Sequence, residues 1–202
     1  MVETLPEIGQ VFTFDAQAHV YYLDGVRIPG VTTILKEAGL VPNYGGFGQA
    51  QHRGLHVHSA CEFLDLNDLD WSSVYPEYQD YVRAYQRFLE ESGFKPELIE
   101  FQGFHPGYRF AGTLDRVGQM NGERWVLDIK TGGAAEWHHL QTAGYQLLRE
   151  EWSEYRRGSV YLNENGSYNF KEHDDPSDGQ VFLAALALFH WKANHKIKET
   201  QA

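Results

Sequence analysis

The stretch Trp125-Val126-Leu127-Asp128-Ile129-Lys130-Thr131-Gly132 reads as an apolar strand ending in an acid and a lysine two residues apart. Side chains alternate along a strand, so Asp128 and Lys130 point to the same face. A carboxylate that can ligate a cation, beside an ammonium that can orient water, meets the needs of metal-assisted phosphodiester hydrolysis. The cation acidifies water and stabilises transition-state charge. The lysine positions or deprotonates that water and offsets charge on the phosphate. The same two residues also fit a surface ion pair at a strand end, so the pair alone does not decide.

A second acid bears on the choice. Phe110-Ala111-Gly112-Thr113-Leu114-Asp115 is strand-like, and Met120-Asn121-Gly122 is a turn signal between it and the Asp128 strand. A hairpin there puts Asp115 and Asp128 at similar distances from the turn, where they can share one metal ion. Glycine inside a strand marks close approach of another group. A DNA backbone or the metal would give Gly112 that purpose, with a bulge or bend as the alternative.

Two pairs spaced by one helical turn flank these strands. In Gly54-Leu55-His56-Val57-His58-Ser59-Ala60-Cys61-Glu62, His58 and Glu62 share a helix face, and Gln141 and Tyr145 do the same further on. Imidazole suits manganese, iron or zinc better than magnesium. Each pair alone also reads as structural. His52, His56, His138 and His139 read as surface or core residues.

The elements that must position these groups follow from periodicity and turn chemistry. Val11 to Phe14, Val20 to Leu23 and Val26 to Ile28 read as an N-terminal β-hairpin unit with Asp24-Gly25 as a turn. Val31 to Ala38 reads as a short helix stopped by Gly39, and Asn43 to Gly48 as a connector. Helical spacing covers Gln49 to Leu66, with Leu55, Ala60, Phe63 and Leu64 expected on its buried face. It covers Pro76 to Ser92 as well, with Gly93 as the stop. Leu98 to Phe104, Tyr108 to Val117 and Arg124 to Ile129 read as successive strands. A helix over Ala134 to Trp152, a strand pair over Gly158 to Leu162 and Tyr168 to Phe170, and a closing helix from Pro176 to about Lys196 complete the chain. The apolar run Val181 to Trp191 is expected to be a buried helix. This order suggests an α/β (α+β) domain around a mixed sheet.

Composition bounds the rest. The 202 residues suit one domain, and 42% hydrophobic residues support a sizeable core. No run approaches a membrane span of about 18 apolar residues. Met1 to Glu7 lacks the pattern of a signal peptide, so a cytoplasmic protein is expected. Cys61 is the single cysteine, which excludes an internal disulfide and a four-cysteine zinc or iron–sulfur site. The net charge of -11 argues against a protein that coats DNA generally. Any DNA contact must be local, on a strip drawn from Arg83, Arg87, Arg109, Arg116, Arg156, Arg157, Lys192 and Lys196.

Taken together, Gly54, His58 and Glu62, then Gly112 and Asp115, then Asp128, Lys130 and Thr131, then Gln141 and Tyr145 resemble the ordered motifs of RecB-like nucleases in the PD-(D/E)XK superfamily. The resemblance covers about residues 50 to 150. His19 to Gly25 through Val31 to Leu35 is more weakly similar to phage and prophage exonucleases. The resemblance implies a restriction-endonuclease-like core over 49–198, a central mixed sheet flanked by helices, and an N-terminal hairpin and helix extension over 1–48. It implies that His58, Asp115, Asp128 and the Ile129 carbonyl bind a magnesium or manganese ion, with Glu100 as a loose further match. It implies that Lys130 is the catalytic lysine, that Gln141, Tyr145 and Thr131 contact DNA, and that Gly54, Glu62 and Gly112 support the site. Some relatives carry an iron–sulfur cluster, which one cysteine cannot hold. The implied activity is metal-dependent DNA cleavage, with exonuclease preferred over endonuclease, in recombination beside a separate annealing protein or recombinase.

Two other readings compete. A catalytically idle DNA-binding module is opposed by the intact Asp115, Asp128 and Lys130. A zinc hydrolase using His56 and His58 is opposed by the helix proposed there, because residues two apart on a helix face different directions.

Overall fold

The computed structural model describes residues 9–42 and 48–195. Residues 43–47 of the expected connector Asn43 to Gly48, the N-terminal residues read for a signal sequence, and Lys196 lie outside them, and Gly48 already belongs to a helix. β1 (Phe12–Asp15), β2 (Val20–Leu23) and β3 (Val26–Ile28) form an antiparallel sheet of three strands, one more than a simple hairpin. α1 (Val31–Glu37) and α2 (Gly48–Asp65) follow. A short 3-10 turn at Pro76–Tyr78 leads into α3 (Gln79–Ser92). Gly93 closes α3 in the left-handed conformation at φ 68°.

A five-stranded sheet then forms in the order β4-β5-β6-β7-β8 from β4 (Lys95–His105), β5 (Phe110–Met120), β6 (Glu123–Lys130), β7 (Arg156–Leu162) and β8 (Tyr168–Glu172). Only β6 and β7 run parallel, and α4 (Trp137–Gln146) makes the crossover between them. Asn121 at φ 54° and Gly122 at φ 80° form the β5–β6 turn, the paired left-handed conformation that hairpins with Asn-Gly adopt. α5 (Asp178–Asn194) closes the described chain. This is a mixed α/β architecture with helices on both faces of a central mixed sheet.

Each sheet face has its own core. α2 and α3 pack Val57, Ala60, Cys61, Tyr81, Val82, Tyr85 and Phe88 against Trp125, Leu127, Ile129 and Val160. α1, α4 and α5 pack Val31, Ile34, Tyr145, Phe182 and Leu186 against Phe110, Leu114, Val117 and Val126 on the other face. Among the described residues, no helix is long and apolar enough to cross a membrane.

Three expectations are corrected here. The buried stripe of α2 is Val57, Ala60 and Cys61, with Leu64 partly buried, while Leu55 and Phe63 are 66% and 45% exposed. The sheet touches only the i, i+3, i+4, i+7 stripe, and those two side chains lie off it. The helix expected over Ala134 to Trp152 is only Trp137–Gln146, followed by a 3-10 turn at Glu150–Trp152. The Gln146 amide donates to the Ser153 and Tyr155 carbonyls, tying the chain back as the helix ends. Finally, α5 is not buried all round: Phe182, Ala185 and Leu186 face the core, but Val181, Leu188 and Trp191 are exposed.

A buried histidine in this packing sets a pH dependence. His173 is 2% exposed, shares a hydrogen bond of 2.8 Å with Thr142 Oγ1, and stacks on His139. Burial, then the neighbouring His139 and Arg157, lowers its pKa from 6.5 to about 3. The unfolded chain therefore takes up a proton below about pH 6.5 that the folded chain refuses, so stability falls with pH from about 6.5 towards 3. Thermal unfolding at pH 5 is expected below that at pH 7.5, and His173→Gln should shrink the difference. An unchanged difference in the variant would refute the assignment.

Candidate active site

The β5–β6 ladder pairs Arg116 with Leu127, so Asp115 and Asp128 stand one step further along neighbouring strands. Both are buried. Asp115 Oδ2 accepts a hydrogen bond of 2.6 Å from the Ile129 amide. Asp128 Oδ1 accepts one of 2.9 Å from Lys130 Nζ, and its Oδ2 lies 3.3 Å from Ser159 Oγ on β7. Strand alternation thus brings Asp128 and Lys130 to one face. Lys130 Nζ donates a second bond of 2.9 Å to Gln141 Oε1 on α4.

His58 descends on this pair from α2. Its Nε2 donates to the Ile129 carbonyl at 3.0 Å. Its Nδ1 lies 3.5 Å from Asp115 Oδ1 and 3.9 Å from Glu100 Oε1. Both ring nitrogens face acceptors. Burial opposes a charge on the ring, but the Asp115 and Glu100 carboxylates outweigh it and raise its pKa to about 10. Burial also opposes ionisation of Asp115, yet His58 and Lys130 hold its carboxyl below the usual range. Asp128 moves the other way: burial and Asp115 push it up against the pull of Lys130. One carboxylate is held ionised and its neighbour is pushed towards the proton, a split characteristic of sites that handle protons.

Donor atoms of His58, Glu100 and Asp115 all lie within 4.8 Å of one another. Opposite ligands of a magnesium ion are about 4.2 Å apart, twice a bond of about 2.1 Å, so this cluster could hold a hard divalent cation after a small closure and loss of the proton from His58 Nδ1. Two oxygens with one nitrogen suit manganese as well. The gathered set contains Glu100, the loose match, while Asp128 is held by Lys130 and Ser159. Glu100 sits at φ 46°, a region costly for a residue with a side chain and characteristic of functional positions.

A network absent from the sequence reading supports Glu100. Arg116 is fully buried, bonds Asp65 on α2, reaches Glu100 Oε1 at 3.0 Å, and donates to the Asp115 carbonyl at 2.6 Å. Tyr85 also donates to Asp65. Removing the guanidinium strands buried carboxylates. Arg116→Met is therefore expected to cost about 3–5 kcal/mol of stability, measurable by urea unfolding; a loss under about 1 kcal/mol would contradict this account.

The cleft around these groups has a volume of about 850 Å³. Gly54, Leu55, Gly112, Thr131, Gln141 and Tyr145 line it together with His58, Glu100, Asp115, Asp128 and Lys130. Gln141 Nε2 reaches Tyr145 Oη at 3.0 Å and Thr32 Oγ1 at 3.3 Å, so this side chain is tied up within the protein and holds Lys130. Gly112 does have a close neighbour, but it is the Tyr145 ring: a Cβ there would lie 3.0 Å from it. This corrects the expectation of a metal or DNA backbone at that glycine. Gly54 has open space where a Cβ would go. The Glu62 side chain makes no hydrogen bond or ion pair among the described residues and does not line the cleft. His56 packs tilted against His52 and edge-on against Tyr75 on the exposed side of α2 and does not join His58.

Sequence reasoning missed the N-terminal wall of the cleft. Tyr21 Oη lies 2.9 Å from Thr113 Oγ1 and 3.3 Å from His19 Nε2, and Thr32, Thr33 and Lys36 of α1 complete that side. The signals available were the weak similarity over His19 to Leu35 and the Thr32-Thr33 pair at the start of α1. The proposed basic strip also changes. Arg116 and Arg157 are buried, Arg83, Arg87 and Arg156 pair with Asp80, Glu91 and Glu172, and Arg109 and Lys192 remain.

The site thus joins a buried acid pair on a hairpin, a lysine two residues on and a helical histidine above. The chain belongs to the PD-(D/E)XK nuclease superfamily, whose family model matches residues 47–194. Among solved structures it is similar to SSO0001, at 15% identity and TM-score 0.36, covering 79% of this chain and 84% of that one. It is also similar to the alkaline exonuclease LHK-Exo from Laribacter hongkongensis, at 14% identity and TM-score 0.33, covering 83% and 91%. The same enzyme in complex with dAMP gives 16% identity and TM-score 0.35, covering 84% and 93%. No curated protein sequence matches.

Proposed function

We propose that this nuclease is a divalent-metal-dependent deoxyribonuclease that digests DNA from an end. The observation that carries the reading is the gathering of His58, Glu100 and Asp115 donors within 4.8 Å, next to Lys130 on the adjoining strand. Those three residues and the Ile129 carbonyl would hold magnesium or manganese, with Asp128 released from Lys130 as a further ligand. The ion supplies Lewis acidity and lowers the pKa of water. Lys130 orients the attacking water and offsets charge on the phosphate. Gln141 fixes Lys130, and Tyr145 fixes Gln141. Thr131 and the N-terminal wall face the strand. The cleft is walled by α1 and β2 on one side and by the start of α2 on the other, and exonuclease is preferred over endonuclease on the resemblance of the motifs. The weak N-terminal similarity to phage exonucleases supports a role in recombination beside a separate annealing protein.

Topology of the substrate tests this reading. With magnesium or manganese, end-labelled linear DNA should be degraded progressively and closed circles should survive. Cutting of closed circles would overturn the exonuclease reading, and failure to cut any form would overturn the nuclease one.

A further inference from the structure

The described residues contain fifteen lysines and arginines, and nine of them face a carboxylate in an ion pair. The six without one are Arg27, Lys36, Arg53, Lys95, Arg109 and Lys192. They are not scattered. Lys36 and Arg53 line the active-site cleft. Arg27 and Arg109 line a second cleft of about 500 Å³ between the β4–β5 turn and the last turns of α5. Lys192 bonds the Glu37 carbonyl, tying α5 to α1 between the two. Only Lys95, at the start of β4, stands apart.

We propose that this second cleft binds phosphates of a DNA strand running on from the active site over the N-terminal sheet, an inference that rests on the nuclease reading above. No acid lines it, although the chain carries 28. Tyr108 is 48% exposed beside Arg109 and offers a ring face to a base. The C-terminal end of α5 brings a partial charge of about -0.5, against two full positive charges. Arg109 lies four residues before Thr113 of the active-site cleft, about 13 Å along the strand at 3.3 Å per residue. That span equals the axial rise of about four base steps of B-form DNA at 3.4 Å each.

Arg109 also provides a clean variant. It occupies the left-handed region at φ 51°, where asparagine is less strained, so Arg109→Asn removes the charge while favouring the turn. Arg27 is exposed, and Arg27→Gln is similarly mild. The experiment measures fluorescence anisotropy of a long single-stranded DNA oligonucleotide across salt concentrations, with manganese, in the Lys130→Ala background. Cleavage by the otherwise wild-type enzyme is followed in parallel. Adding Arg27→Gln and Arg109→Asn should weaken binding and make the log–log salt slope shallower by about 1.4, or 0.7 per lost contact on a single strand. Lys95→Gln should leave the slope unchanged. An unchanged slope in the double variant, with DNA still cut, overturns this path and spares the nuclease reading. Absence of both binding and cutting overturns both. An arginine-dependent slope without cutting upholds the path alone.

Discussion

Asp115→Asn is expected to lower kcat/KM for metal-dependent DNA cleavage by at least about a thousandfold. Asp115 is the buried centre of the site: one oxygen is fixed by the Ile129 amide and the other faces His58. A ligand set that loses its central carboxylate loses several kcal/mol of transition-state charge stabilisation, and about 4 kcal/mol is a factor of about a thousand. The amide preserves shape, so the fold should persist. His58→Ala should act in the same direction. His56→Ala should leave cleavage near the wild-type rate, because His56 packs on His52 and Tyr75 outside the cleft. Steady-state rates on labelled DNA, with circular dichroism to verify folding, check all three. Equal losses from His56→Ala and His58→Ala would favour the zinc hydrolase alternative.

The second large effect is expected at Lys130. Lys130→Ala should reduce kcat by about 10²–10⁴-fold, the range for losing a positioned proton-handling group, while manganese binding is retained. Lys130→Arg should not restore the rate, since a planar guanidinium cannot meet Asp128 and Gln141 as the ammonium does, at 2.9 Å each. Calorimetric titration of manganese separates lost chemistry from lost metal. A Lys130→Ala variant that loses both equally would make Lys130 a support for the metal ligands instead.

What was legible in the sequence was what neighbouring residues decide. Asn121-Gly122 announced the hairpin, and alternation announced that Asp128 and Lys130 share a face. Helical spacing put Gln141 and Tyr145 together, and they are bonded. What was hidden depends on contacts between distant segments. Tyr21 meets Thr113 across 92 residues, Gln141 meets Thr32 across 109, and Arg116 meets Asp65 across 51. Nothing near Arg116 in the sequence separates it from a surface arginine, and so it stood among the candidate DNA contacts. Leu55 and Phe63 misled for a related reason: hydrophobicity marks a residue able to be buried, but the sheet decides which stripe of α2 it covers. Gly112 inside a strand signals a close approach, and the tertiary structure shows that Tyr145 is the group that makes it.

The His58, Glu100 and Asp115 cluster is proposed to take a divalent cation that drives phosphodiester cleavage with Lys130. Its most direct test is the initial rate of release from end-labelled linear DNA. The rate should be measured after exhaustive chelation, then with magnesium or manganese restored, for wild type and Asp115→Asn. No release is expected after chelation, with full recovery in wild type and almost none in the variant. Release that survives chelation, or a variant that recovers like wild type, would contradict it.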